Sequence, residues 1–363
     1  MSVLTSLDLP DSPAGREKLA AEYLEKARAT RAGGDRQGAA DLLVGAIRGG
    51  LWRYARLWSE LRSLMEQPGD YAQIRDLWWD SPRGCHQVVP LLTTVARAAS
   101  VAGEHAESRI LLRKAIVLQG LRGRRLRKRL GHLKHEAVQQ VKARRSVPDA
   151  ASFEARAVTA LSELNQQFEG LGVRGFLISG TLLGYLRDSG FISWDKDIDL
   201  GFFTSEISTD DLERAFEHSE RFNVRRIDFN TDRLRVNHNN GMMIDVFPHY
   251  AGDDGRIWHN GTATRWWNSP FELTTVEFLG RPQFVPDPPE RYLDENYGDW
   301  RTPEPNFDAR LDAPNAEVTD QEFLDTLHYF ALLDAVTKKN PDKIARYKTL
   351  LRGLGESDWL DRI

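Results

Sequence analysis

Asp195, Asp197 and Asp199 stand at alternating positions in FLISGTLLGYLRDSGFISWDKDIDLGFF, residues 176–203. Successive side chains of a strand point to opposite faces, so this spacing predicts that the three carboxylates share one face, with Lys196, Ile198 and Leu200 on the other. Unpaired carboxylates that close repel one another, and one would take up a proton unless a cation sat among them. A hard divalent ion, Mg2+ or Mn2+, which takes one or two carboxylates together with substrate phosphates, meets that demand. Just upstream, a strand-like run over 173–178 meets Ser179-Gly180-Thr181, and Leu182, Leu183, Tyr185 and Leu186 then read as a short helix. Gly180 lets the backbone come close to a ligand, and the helix start at Thr181 offers free N–H groups to a phosphate. A phosphate seat thus precedes a metal seat.

The elements that must hold these groups are legible nearby. Residues 233–238 and 242–247 are two strand-like runs around Asn239-Asn240-Gly241, and Asn-Gly is a strong hairpin signal because both turn positions must accept positive φ. The hairpin holds Asp245 in mid-strand, with Ile244 and Val246 pointing the other way into apolar packing. A buried, unpaired aspartate is costly there. Sharing a metal with Asp197 and Asp199 removes the cost; a capped or salt-bridged Asp245 is the alternative.

G-T-L-L-G, then Arg187, then F-I-x-W-D-x-D-I-D resembles the signature of the LicD/fukutin family of phosphotransferases, part of the nucleotidyltransferase superfamily. MMIDVFP, residues 242–248, is similar to that family's second carboxylate strand, and YLDENYGDWRTP, residues 292–303, to its C-terminal motif. Ser193 stands where the family usually has proline, and Asp188-Ser189 replaces a more basic pair. The resemblance implies an α+β fold, a nucleotidyltransferase-like mixed sheet with flanking helices. It implies a CDP-linked alcohol donor (choline, ribitol or glycerol), a sugar hydroxyl of a glycan or lipid-linked saccharide as acceptor, and release of CMP. Metal would be held by Asp197, Asp199 and Asp245, with Asp195 as general base or second-metal ligand. Gly180, Thr181 and Arg187 would meet the donor phosphates; for Arg187 a salt bridge to Asp195 is the equal alternative.

With 363 residues the chain exceeds one ordinary core, so more than one domain is expected. A net charge of −4 gives no global preference for nucleic acid, and no nucleic-acid partner is expected; a single cysteine, Cys85, excludes an internal disulfide or a cysteine-based zinc site. The first residues lack a basic segment followed by an apolar core, and no stretch approaches eighteen apolar residues; the expectation is a cytoplasmic protein, or one peripheral at the inner membrane face. Residues 27–47 match residues 96–116 without a gap at an offset of 69 residues, close to twice the tetratricopeptide period. An all-α TPR-like helical-repeat domain is therefore expected over 1–120, bracing the chain or docking a protein partner. A basic connector helix follows over 121–150; its segment 121–146 carries ten Lys or Arg against Glu136 alone, and is read as a solvated connector, a membrane-surface contact or a glycan contact. The catalytic domain is expected over 151–363, its final helices, 320–338 and 341–354, covering the sheet.

Among the aromatics, Trp258, Trp266 and Trp267 are candidates for stacking on a sugar or cytosine, against ordinary core packing. His238, His249 and His259 lack mutual metal spacing. Two other functions fit less well: a nucleotidyltransferase that moves the nucleotide itself to a small molecule, and an inactive repeat-bearing scaffold.

Overall fold

The computed structural model describes residues 7–130, 150–192, 197–227 and 231–363, and within them the chain forms two compact units. One is helical. It begins with α1 (Pro13–Ala32), α2 (Arg36–Ala46), α3 (Ala55–Arg62), α4 (Tyr71–Asp80), α5 (Val89–Val101) and α6 (His105–Leu130). The 69-residue sequence repeat is a repeat of structure: α1–α2 and α5–α6 are hairpins closed by the same turn. Gly34 and Gly103 both adopt positive φ, +86° and +84°. The Asp35 N–H donates to the Thr30 carbonyl at 3.1 Å, and its counterpart, the Glu104 N–H, donates to the Ala99 carbonyl at 2.8 Å. Small buried residues, Ala27, Ala39, Ala96 and Ala98, let the paired helices approach. Residues 121–130 of the expected connector belong to α6, and the rest of it, up to 149, lies outside the described residues. Among the described residues no helix is long and apolar enough to cross a membrane.

The other unit is mixed α+β. Helix α7 (Ala150–Gly170) presents Ala157, Ala160, Leu161, Leu164 and Phe168, all buried at helical spacing, to the unit's core. Helices α8 (Ser179–Leu183), α9 (Thr209–Ala215) and α10 (Pro289–Tyr297) are short. The strands are β1 (Phe176–Leu177), β2 (Ile198–Phe203), β3 (Phe222–Arg226), β4 (Leu234–His238) and β5 (Met243–Ala251), then β6 (Ile257–Asn260), β7 (Thr264–Asn268), β8 (Glu272–Phe278), β9 (Arg281–Asp287) and β10 (Ala316–Val318). They form one sheet in the order β10-β7-β6-β5-β2-β1-β9-β8, with β4 on β5 and β3 on β4. Pairs β2–β5 and β1–β9 are parallel and the others antiparallel. The hairpin forms at Asn239–Gly241, but as a three-residue loop closed by the His238 N–H to the Met242 carbonyl, with positive φ at Gly241 alone, +87°, and not at Asn240, so the two-residue turn expected from Asn-Gly is not the one adopted. On one sheet face Ile198, Leu200, Phe202, Ile244 and Val246 are fully buried. Period-2 alternation sends their neighbours, Asp199, Gly201, Asp245 and Phe247, to the other.

The last helices, α11 (Gln321–Lys338) and α12 (Pro341–Gly353), were expected to cover the sheet, but residues 322–363 belong to the helical unit. Phe323 packs on His105 with ring centroids 5.0 Å apart, Arg97 lies over the Phe330 ring at 4.2 Å, and Arg113 pairs with Glu356. The apolar surface of α11 reads the same in sequence whichever partner it packs on, so it predicts burial and not the partner.

Candidate active site

Three adjacent strands bring one row of charge together. Asp199 on β2 is the register partner of Asp245 on β5, and Asp245 is the register partner of Arg235 on β4. Asp245 is 3% exposed, and its two carboxylate oxygens accept from the Arg235 guanidinium, Nε and Nη2, at 2.8 Å each. Arg233 adds a longer contact, Nη1 to Oδ2 at 3.5 Å. The hydrogen bonds to Asp245 push the Arg235 pKa up against the opposing effect of burial, and the charges of Asp245, Asp197 and Asp199 add to the rise. Arg235 thus feels the charge of all three aspartates, Asp197, Asp199 and Asp245.

The expected phosphate seat is only partly formed. Gly180 and Ser179 line a cavity of about 280 Å³ together with Asp199, Arg233, His259 and Trp266. Thr181 turns inward: it is 1% exposed, and its hydroxyl oxygen accepts the Asp199 N–H at 2.9 Å, so it pins β2 to α8 rather than meeting a ligand. Arg187 does not line the cavity. It is held in a bidentate pair by Asp188, at 3.0 and 3.1 Å, with a third contact to the Trp300 carbonyl at 3.4 Å. The acidic residue at 188, one of the departures from the family pattern, captures the arginine locally. Ser193 and Asp195 lie outside the described residues.

Asp245, expected as a third metal ligand, has both its oxygens engaged by Arg235, the salt-bridged arrangement that was the alternative. Among the described residues no group of three His, Cys, Asp or Glu is arranged to hold a metal ion. Asp197 and Asp199 still suit Mg2+, which needs one or two carboxylates and completes its shell with water and phosphate; Asp245 suits it only if Arg235 lets go. Polar atoms around Asp199 are left without protein partners: Arg233 Nε, His259 Nδ1 and the Tyr292 hydroxyl are all buried and unpaired. Burial, then the charges of Tyr297, Asp199 and Glu295, push the Tyr292 phenol well above its usual range. Buried polar groups are mostly hydrogen-bonded, so these three atoms are available to a bound polar group.

The cavity's aromatic wall continues the same sheet face. His249 and His259 stack at 4.6 Å, and His259 stacks on Trp266 at 5.3 Å. Burial lowers the His249 pKa to about 4; it lowers His259 well below normal, with the charges of His249 and Arg233 adding, so both rings are neutral. Trp258 instead stacks on Tyr250 at 4.3 Å, and His238 pairs with Glu163 at 3.1 Å. Tyr292 and Trp300 are buried, and Tyr297 lines the cavity. Gly201 is required by the close approach behind this wall: a Cβ there would lie 2.4 Å from the Phe176 ring and 2.7 Å from His249 Cε1. Gly201→Ala is expected to cost about 1–3 kcal/mol by overpacking, measured as a lower denaturant midpoint; an unchanged midpoint would mean the rings yield freely.

Arg233 and Arg235 were missed in the sequence. Their signal was present, because the alternation in RLRVNH together with the hairpin register faces Arg235 toward Asp245.

Residues 172–287 match the family model LicD/FKTN/FKRP, nucleotidyltransferase domain. The chain carries a LicD/FKTN/FKRP nucleotidyltransferase domain. Asp197, Asp199, Arg235 and Asp245 all fall within it. The chain is 30% identical over 178 residues to the mouse (Mus musculus) ribitol-5-phosphate transferase FKTN, and 28% identical over the same length to the human (Homo sapiens) protein. Each match covers 47% of this chain and 38% of the relative, so the chain spans well under half the length of these curated proteins. The mouse ribitol 5-phosphate transferase FKRP is 30% identical over 88 residues, 23% of this chain and 18% of that one. Among solved structures, the lincomycin-bound lincosamide antibiotic adenylyltransferase LnuA aligns with a TM-score of 0.28 at 18% identity, covering 37% of this chain and 82% of that one.

Proposed function

We propose that this chain is a LicD-type phosphotransferase that moves an alcohol phosphate, of the ribitol phosphate kind, from a CDP-linked donor to a sugar hydroxyl of a glycan. The observation that carries the reading is the register pair Asp199–Asp245 on parallel neighbouring strands of the matched stretch, with Asp199 lining a cavity. The acceptor oxygen attacks the phosphorus that bears the alcohol; a P–O bond forms to the sugar, the P–O bond to CMP breaks, and the hydroxyl proton leaves to a base. Mg2+ held by Asp197 and Asp199, and by Asp245 once Arg235 releases it, would supply neutralising charge for the diphosphate. Asp195 is assigned to a second ion or to the base. Gly180 lets the donor lie against the backbone, and the neutral stack of His259 and Trp266 offers a flat apolar wall to a ring.

The same reading proposes a cytoplasmic enzyme, peripheral at the inner membrane face through residues 121–146, with the TPR-like helical unit as a brace or a protein-docking surface.

Incubating the purified chain and Mg2+ with CDP-ribitol, CDP-glycerol, CDP-choline or CTP, and separating the products, tests the reading. Release of CMP from one CDP-alcohol is the expected result. Pyrophosphate and a nucleotidylated product from CTP alone would replace it with nucleotidyl transfer.

A further inference from the structure

We propose that Arg233 and Arg310 form an anion-binding pair that takes the diphosphate of a nucleotide-linked donor, the role expected for Arg187. This rests on the donor reading above for the identity of the ligand, and on the cavity for the site itself.

Both arginines line the cavity that Asp199 also lines, and Arg187 does not. Arg233 stands just before β4, its guanidinium lying over the Phe247 ring at 5.2 Å. Among the described residues its buried Nε has no hydrogen-bond partner, and its ion pair is the 3.5 Å contact to an Asp245 oxygen that Arg235 already holds at 2.8 Å. The local positive charge is therefore only partly compensated, and a fixed donor is left unused. Arg310 is held by Asp308 at two points, Nε to Oδ1 at 3.2 Å and Nη2 to Oδ2 at 3.4 Å, but unlike Arg187 it lines the cavity, and its side chain stays 35% exposed. A guanidinium presents a planar fork of donors that matches two phosphate oxygens, and an anion between two such groups gains charge-assisted hydrogen bonds that a sugar hydroxyl or a neutral base would not. His259, neutral on the same wall, adds no competing charge.

The test is calorimetric titration of the full chain with inorganic pyrophosphate in Mg2+, alongside CDP-ribitol turnover. Arg233→Gln is expected to weaken pyrophosphate binding at least about tenfold, Arg233→Lys to restore it in part because charge without the fork remains, and the exposed Arg281→Gln to leave it unchanged. Arg310→Gln, more exposed than Arg233, carries the same expectation if Arg233→Gln does not fold. Unchanged binding in the folded variants, or no pyrophosphate binding by the wild type, overturns the proposal even if CDP-ribitol is turned over. Tenfold loss in Arg233→Gln with no turnover of any CDP-alcohol upholds the anion site and removes the donor reading instead.

Discussion

Asp199→Asn is expected to lower turnover of the CDP-linked donor by at least about 10²–10³-fold, the scale seen when one preorganised charge is removed from a transition state. The substitution keeps side-chain volume, and the contact that fastens this part of β2, the Asp199 N–H to Thr181, is made by the backbone. The melting temperature should therefore change little. Steady-state rates of the two proteins, compared at equal folded fraction, decide it: activity within a factor of ten of wild type would remove Asp199 from the chemistry.

Arg235→Ala should destabilise the chain by about 3 kcal/mol, the low end of the cost of breaking a buried ion pair, because Arg233 stays near the stranded Asp245. Chemical denaturation measures the loss. The same variant answers whether Asp245 is a metal ligand. If Mg2+ and Arg235 compete for that carboxylate, saturating Mg2+ raises the melting temperature of Arg235→Ala more than that of wild type, since a ligand that binds only the folded state stabilises it. Equal shifts would assign Asp245 to the ion pair alone.

Much of the site was readable because alternation in strands leaves little freedom. Once Ile198, Leu200, Ile244 and Val246 are taken as the buried set, Asp199 and Asp245 must share the opposite face, and the Asn-Gly turn fixes where the second strand begins. What alternation cannot supply is the competition among neighbours for one partner. Thr181 has a hydroxyl suited to phosphate, yet the Asp199 N–H lies closer; Arg187 has the reach, yet Asp188 is adjacent. Arg235 could have been placed from the hairpin's own register, which sets it opposite Asp245. The partner of α11 could not, because a helix apolar around most of its circumference records that it is buried and says nothing of what buries it.

The return of residues 322–363 to the helical unit makes the mixed α+β unit an insertion within the helical one. A chain emerging residue by residue can close the α1–α2 and α5–α6 hairpins early, since their contacts are local. It cannot seat Phe330 on Arg97, or Phe323 on His105, until the whole of the inserted unit has been made. The helical unit is therefore the first begun and the last completed. It is also divisible from neither end: a truncation that removes α1–α6 takes His105 from Phe323 and Arg97 from Phe330, baring aromatic surface on α11.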